Sequence, residues 1–441
     1  MRGDKNIYMQ KFSDMTWISS TEKCQWSADN TFSKERGEKL IIGEPIGKPL
    51  YGFGCCISEI CVKAIDSLDA KKQKAIFNEL FSQENCNFTF CRLPIGANDF
   101  AESWYSYNEC DGDYEMKNFS IERDRKYLIP AIHKAQEISP KLSFFASPWS
   151  PPTWMKFPKA YNNGTIIQTE ENLRSYALYF KKYLQAYKEQ GIDISQIHVQ
   201  NEFHSSQNFP SCIWDAKALE KFITDYLAPQ IGDVAEIWFG TINGPETDYR
   251  ALISRYNQFL GCAMENEKVR ETIKGASFQW AGKFSIMQVA EDYPLLDTIN
   301  SEMECGDGEN TWQYAMYGYE MMHHYFRFGA RACVYWNMAL DNDGYSTWGW
   351  RQNSLIVVKD GNYRFTPDFY LIKHFSHFVK KGAVRLATQG SFSSNATVFQ
   401  NPNGEKVAII LNPFDMEKII TIEENNYRLA PRSFNSIILK K

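Results

Sequence analysis

The feature that most constrains this chain is an alternation. Between about residues 50 and 380, eight short apolar runs are separated by longer amphipathic stretches. The runs read as strands at Tyr51–Cys56, Phe88–Pro94, Leu142–Ser147, Gln196–Glu202, Glu236–Thr241, Gly275–Trp280, Asp297–Glu302 and Cys333–Met338. Helical periodicity covers Ile60–Phe81, Arg123–Ile138, Glu170–Gln190, Asp215–Leu227, Asp248–Cys262 and Thr311–Gly329, with a last helix near Pro367–Val379. Parallel strands need crossovers long enough to hold a helix, so this alternation argues for βα units. Eight of them predict a closed (β/α)8 TIM barrel over residues 46–380.

The ends read differently. After Lys381 come "ATVFQ", "NPNG", "KVAIILN", "KIITI" and "SFNSIILKK", short alternating runs split by turn signals. Asn403-Gly404 is a strong hairpin step. The first ~45 residues lack helical periodicity, and Trp17, Trp26 and "KLIIG" could supply strands. Chain ends often lie close together, so residues 1–45 and 381–441 are expected to build one β-sandwich side domain.

Bulk properties mainly exclude. A net charge of −5 with no basic run gives no footprint for nucleic acid. No segment approaches the ~20 apolar residues of a membrane span, so stable membrane insertion is not expected. The N-terminus shows no apolar signal region, and the 11 cysteines form no CxxC pair. Free thiols and a cytoplasmic location are the expectation. If the chain is a trimmed secreted form, the acceptor sites at Asn87, Asn118, Asn163 and Asn395 become relevant. Aromatic residues reach 15%, which fits either a large aromatic core or a site that stacks flat rings.

In such a barrel the strand C-terminal ends face the site. Arg92, Trp149, Trp154, Asn201, Glu202, Trp280, Glu302, Glu304 and Trp336 all fall at these ends. Glu202 closes the fourth run and Glu302 the seventh, roughly across the barrel from each other. Strand alternation places His198, Gln200 and Glu202 on one face. Two carboxyls about 5 Å apart are what a retaining glycosidase needs, and tryptophans offer flat faces to sugar rings.

The runs "YGFG", "RLPIGANDF", "ASPWSPPTWMK", "NEF", "QWAGK", "SEMECGDG", "YWNMALD" and "WGWRQNSLIVV" occur in the order seen in glycoside hydrolase family 30. The chain resembles that family from about residue 13 to its end, and the glucosylceramidase branch in particular. The resemblance implies a barrel with a side β-sandwich and hydrolysis of β-linked sugars with retention. It implies Glu202 as acid/base, Glu302 as nucleophile, and Asn201 at the sugar 2-hydroxyl. Asp99, Trp154 and Trp336 would hold the sugar, Arg92 would support the acid/base region, and Asn353 or Gln352 would add a contact. Trp280 joins the substrate-binding set from its place on the rim, whereas Trp149 reads as packing.

Three departures stand out. Phe203 follows the acid/base where the family has Pro, and Cys55-Cys56 replaces Gly-Gly. Glu304 shares strand parity with Glu302, so alternation cannot separate them, and Glu304 is the rival nucleophile or a supporting hydrogen-bonder.

Other patterns read blandly. His323-His324 and the pair His374 and His377 lack a third ligand, so they read as core and surface histidines. Cys305 reads as a packed thiol and "GDGEN" as a turn. Neither a metal nor a cofactor is expected. The expected activity is retaining hydrolysis of β-glucosides, glucosylceramidase-like in its resemblance. The alternatives are a β-xylosidase or β-1,6-glucanase of the same family, or a non-catalytic carbohydrate-binding barrel. No cationic uronate reader is visible, and insertions at Glu102–Ser120 and Ser205–Asp215 favour a closed pocket. No apolar lid for a ceramide can be read.

Overall fold

The run "GFGCC", Gly52–Cys56, is buried at every residue. That is the state of a parallel strand covered on both faces. The computed structural model describes residues 17–243, 259–304 and 306–439. In it Gly52–Cys56 is followed by strands Phe90–Ile95, Ser143–Pro148, Ile194–His198, Glu236–Ile242, Ile273–Gln279, Asp297–Glu302 and Ala330–Asn337. These eight, the strands the alternation predicts, pair in chain order and close into a barrel. Registers such as Phe90↔Ser143 and Gly275↔Asp297 are parallel.

The fourth strand ends earlier than its alternation suggests, at His198. Beyond it the backbone leaves the regular ladder: Asn201 N–H donates to the Pro148 carbonyl at 2.8 Å, and Asn201 bridges to Thr241. Glu202 then adopts φ +45°, uncommon for a residue with a side chain.

Helices follow local signals. Glu170–Glu189 starts behind Thr169, whose hydroxyl accepts from Asn172 N–H, and carries Glu170 and Glu171 in its first turn. It buries Leu173, Tyr176, Phe180, Tyr183 and Tyr187, and the chain turns at Gly191 with φ +74°. The periodic stretch Ile60–Phe81 is two helices, Glu59–Asp66 and Ala70–Phe81, because Asp69 caps the second through Lys72 N–H. Most of Asp248–Cys262 lies outside the described residues; its end falls in the helix Leu260–Met264. Helix Lys283–Asp292 was not anticipated. Its apolar residues point both ways, with Ile286 and Val289 buried but Phe284 and Met287 exposed, so no clean period shows.

By contact the described residues divide into two units. One comprises 53–309 with 328–365 and holds the barrel strands almost entire. The other collects the chain up to Gly52, Asn310–Arg327 and Thr366 onward. Its eight-stranded sheet runs Trp17–Ser20, Ser433–Leu439, Lys406–Asn412, Ala396–Gln400, Val384–Gln389, Glu38–Pro45, Lys418–Ile422 and Asn425–Leu429. Both chain ends therefore build one curled, mixed sheet, with Glu38–Pro45 parallel to Lys418–Ile422. The Asn403-Gly404 turn joins an antiparallel hairpin, and Gly404 takes φ +83°. Trp17, Leu40, Val398, Ile410, Ile420 and Ile437 share its core.

Helices Trp312–Arg327 and Pro367–Ser376, grouped by sequence with the 46–380 segment, cluster by contact with this sheet. Tyr319 Oη reaches the Asn395 and Ile409 carbonyls, and Phe326 meets Phe399 edge-on. His374 bonds Ser436 and Ser20 hydroxyls at 2.8 and 2.9 Å. His323 bonds Thr397. Among the described residues no cluster of three His, Cys, Asp or Glu could hold a metal ion, and no helix is long and apolar enough to cross a membrane.

Candidate active site

Arg92, in the middle of the fully buried second strand, organises the barrel mouth. A buried guanidinium must spend its donors, and Arg92 does so on three neighbours. Nη1 donates to Glu302 Oε2 at 2.6 Å, and Nη2 to Asn201 Oδ1 at 2.6 Å. Nη2 and Nε both reach Ser147 Oγ, at 2.9 and 3.1 Å. Its Cζ lies 4.5 Å from the centroid of the Trp149 ring and 5.3 Å from that of Trp336, and the two rings stack on each other. One cation thus ties together the second, third and seventh strands and the segment after the fourth.

Asn201 Oδ1 also accepts from Thr241 Oγ1 at 2.9 Å and Gln279 Nε2 at 2.7 Å. Gln279 reaches this position, level with Glu302, through a register shift at Phe278/Gln279. Such bulges re-aim side chains next to sites. Asn201 and Glu202 are consecutive, and strict alternation would send them to opposite faces. The left-handed backbone at Glu202 removes that conflict, and Glu202 lines the same cavity as Glu302. The cavity measures about 240 Å³ and is also walled by Asp99, Trp149, Gln207, Phe209, Trp280, Trp348, Trp350 and Gln352.

The "Glycosyl hydrolase family 30 TIM-barrel domain" matches residues 50–237, and the "Glycosyl hydrolase family 30 beta sandwich domain" matches residues 382–437. The chain belongs to glycosyl hydrolase family 30. Over 402 residues this family 30 chain is 25% identical to the lysosomal acid glucosylceramidase of Mus musculus, covering 85% of this chain and 76% of that protein. Over 419 residues it is 26% identical to an endo-1,6-beta-D-glucanase of Neurospora crassa, covering 87% and 84%. Its fold matches the crystal structure of SrfJ from Salmonella typhimurium with a TM-score of 0.85 at 23% identity, covering 96% and 99%.

The electrostatics of this family 30 site follow from three buried carboxyls around one buried cation. Burial pushes Glu302 up, Glu202 and Asp99 add to the push, and Arg92 opposes it. Burial also pushes Glu202 up, against hydrogen bonds from the Gln207 and Asn243 amides, the pull of Arg92 and a smaller one from the Gln279 amide. Gln207 Nε2 donates to Glu202 Oε2 at 3.0 Å. The net push is larger at Glu302, yet only Glu302 touches the guanidinium. Direct contact with a permanent cation favours the ionised form of Glu302, whereas amide donors face the Glu202 carboxyl. Burial lifts Asp99 to about 7, and its Oδ1 is buried with no hydrogen-bond partner.

The other sequence-selected residues fall in varied places. Trp280 lines the cavity, whereas Trp154, Trp336 and Asn353 do not. Trp154 is buried, with its Nε1 donated to the Asn108 carbonyl at 3.0 Å. Trp336 backs Trp149 and Arg92, and Asn353 is fully buried while its neighbour Gln352 faces the cavity. Trp149, which reads in sequence as packing, both stacks on Arg92 and lines the wall. Glu304 lies beyond the strand, half-buried and outside the cavity lining. Of the two insertions, Ser205–Asp215 contributes Ser205, Gln207 and Phe209 to the wall, and Glu102–Ser120 contributes no lining residue.

Ser147, Thr241, Gln279 and Gln207 were not legible as site residues, since they act by orienting others and residue type alone does not flag them. Trp348 and Trp350 were legible in principle. They sit in the "WGW" run and form an aromatic wall with Phe209.

Proposed function

We propose that this chain is a retaining β-glycosidase that acts on β-linked glucosides. The observation that carries the reading is the unequal pair in one cavity: Glu302 on a buried guanidinium, Glu202 on amides. In the first step Glu302 attacks the anomeric carbon while Glu202 gives its proton to the departing oxygen. A glycosyl ester forms on Glu302, and the leaving group departs neutral. Esterification removes the Glu302 charge, so the Glu202 carboxyl falls in pKa and becomes the base for the hydrolytic water. Three donors occupy Asn201 Oδ1, which leaves Nδ2 as the group it offers a sugar hydroxyl. Asp99 Oδ1 supplies an acceptor for hydroxyls on the other side of the ring.

Glucose is the sugar common to the names of the two relatives. A second reading, action on β-1,6-linked glucans, is favoured by the aromatic wall. Trp350 is 39% exposed beside Trp348 and Phe209, and flat rings at a cavity mouth suit a second sugar.

The test uses a panel of aryl β-glycosides, then variants with azide. Aryl β-glucoside should be cleaved best. Xyloside should trail by the ~1–3 kcal/mol of one missing hydroxymethyl group. Glu302→Ala with azide should yield the inverted glycosyl azide, and Glu202→Ala with azide the retained one. Absence of turnover on every aryl β-sugar would sink the proposal. Rapid cleavage of β-1,6-linked glucan over the aryl glucoside would select the second reading.

A further inference from the structure

Lys156 is a buried lysine with no carboxylate in contact among the described residues. It is 2% exposed and lies just beyond the short turn Thr153–Met155, in the loop after the third barrel strand. Its Nζ sits 3.0 Å from Ser150 Oγ, 2.8 Å from the Tyr161 carbonyl and 2.6 Å from the Ser211 carbonyl. Two of these are obligate acceptors. The third is committed to accepting as well, because Ser150 Oγ donates its own proton to the Pro151 carbonyl at 2.9 Å. Three acceptors need three N–H groups, and only the ammonium has three. A neutral amine would turn a lone pair towards one of the oxygens.

What the ammonium holds leads to the site. Ser211 lies in the loop after the fourth strand, and its Oγ accepts from Gln207 N–H at 3.1 Å and Asn163 N–H at 2.9 Å. Gln207 in turn donates to Glu202. We propose that Lys156 is a positioning residue: its ammonium fixes Ser211, and through Ser211 holds the Gln207 amide on the Glu202 carboxyl. Lys156 touches no substrate in this scheme. It also anchors Ser150, the neighbour of the cavity-lining Trp149.

The groups that bear on Lys156 are few. Burial draws its ammonium down to about 8, against the Cys212 thiol and the Glu109 carboxyl. Burial lifts Cys212 to about 12, so it stays protonated. Glu109 is occupied by Thr153 N–H and hydroxyl and by Ser106. Tyr161 gives Lys156 its carbonyl, and its phenol bonds Glu109. The charge is therefore held by backbone dipoles rather than by a partner ion.

The catalytic consequence rests on the proposed role of Glu202, but the link itself can be tested without turnover. In protein labelled with 13C at glutamate carboxyls, the Glu202 signal is assigned by its loss in Glu202→Gln and titrated by NMR. The Gln207 bond stabilises ionised Glu202, so Lys156→Met should raise its midpoint by about one unit, a tenfold change in proton affinity. Ser211→Ala, which cuts the chain one step later and leaves Lys156 in place, should move it the same way. This second variant decides the matter if Lys156→Met fails to fold. In turnover, both should slow methyl β-glucoside, which needs a proton, at least fivefold more than dinitrophenyl β-glucoside, which needs little. An unmoved Glu202 midpoint in Ser211→Ala, or equal slowing of both substrates, would overturn the proposal. If the wild type cleaves neither glucoside, the functional reading falls while the titration still decides the positioning.

Discussion

Replacing Arg92 with Met keeps much of the stem and removes the guanidinium that lies against Trp149 and Trp336, which among the described residues is the one cation that touches Glu302. Contacts with three neighbours disappear: the 2.6 Å ion pair with Glu302, the 2.6 Å bond to Asn201 and the two bonds to Ser147. Breaking a buried pair by removing one partner costs about 3–5 kcal/mol, because the other charge is stranded. Glu302 escapes part of that cost by binding a proton. Taking about 3 kcal/mol as the lost stabilisation of its ionised form, the carboxyl rises by roughly two units at 1.36 kcal/mol each. The sign is then settled. A nucleophile works ionised, so the acid limb of kcat/KM moves to higher pH by about two units. Below that limb the rate falls about 100-fold, and it recovers in part as pH rises. The assay is kcat/KM for an aryl β-glucoside from pH 5 to 9, with thermal unfolding measured alongside. An acid limb that stays at the wild-type position would refute the idea that Arg92 holds the Glu302 charge. Melting unchanged by the substitution would refute the assigned burial cost.

Two further expectations concern residues that the sequence left ambiguous. Glu304→Gln should keep activity within about twofold of wild type, since Glu304 does not line the cavity, and a 2-fluoro glucoside should label the peptide carrying Glu302 at that residue; labelling at Glu304 would shift the nucleophile by two positions. Truncation after Lys381 removes six of the eight strands of the terminal sheet and the Ile409 carbonyl that binds Tyr319 Oη. The fragment should be insoluble or unfolded by circular dichroism, and a soluble, active fragment would show the sheet to be dispensable.

The sequence by itself determined the architecture, and it singled out Glu202 and Glu302 as the expected catalytic pair. Repeated alternation of apolar runs and amphipathic stretches is a local property, and it survives folding because each βα unit buries the same faces. The Asn403-Gly404 hairpin is local in the same sense, set by residues that tolerate the turn. Glu202 and Glu302 could be singled out because each closes an apolar run within an ordered motif, although the fourth strand itself ends at His198. What only the tertiary structure decided depends on meetings between distant strands. Asn201 meets Arg92 while its neighbour Glu202 lines the cavity because Glu202 takes a left-handed backbone, which no alternation rule anticipates. Glu302 is separated from Glu304 by where the strand stops and by Arg92, 210 residues earlier in the chain. Trp154 and Trp149 are alike in the motif, yet the Asn108 carbonyl takes one indole while the other stacks on Arg92 and lines the cavity. Charge and burial are properties of surroundings, and the surroundings of these carboxyls exist only once eight strands have closed around one guanidinium.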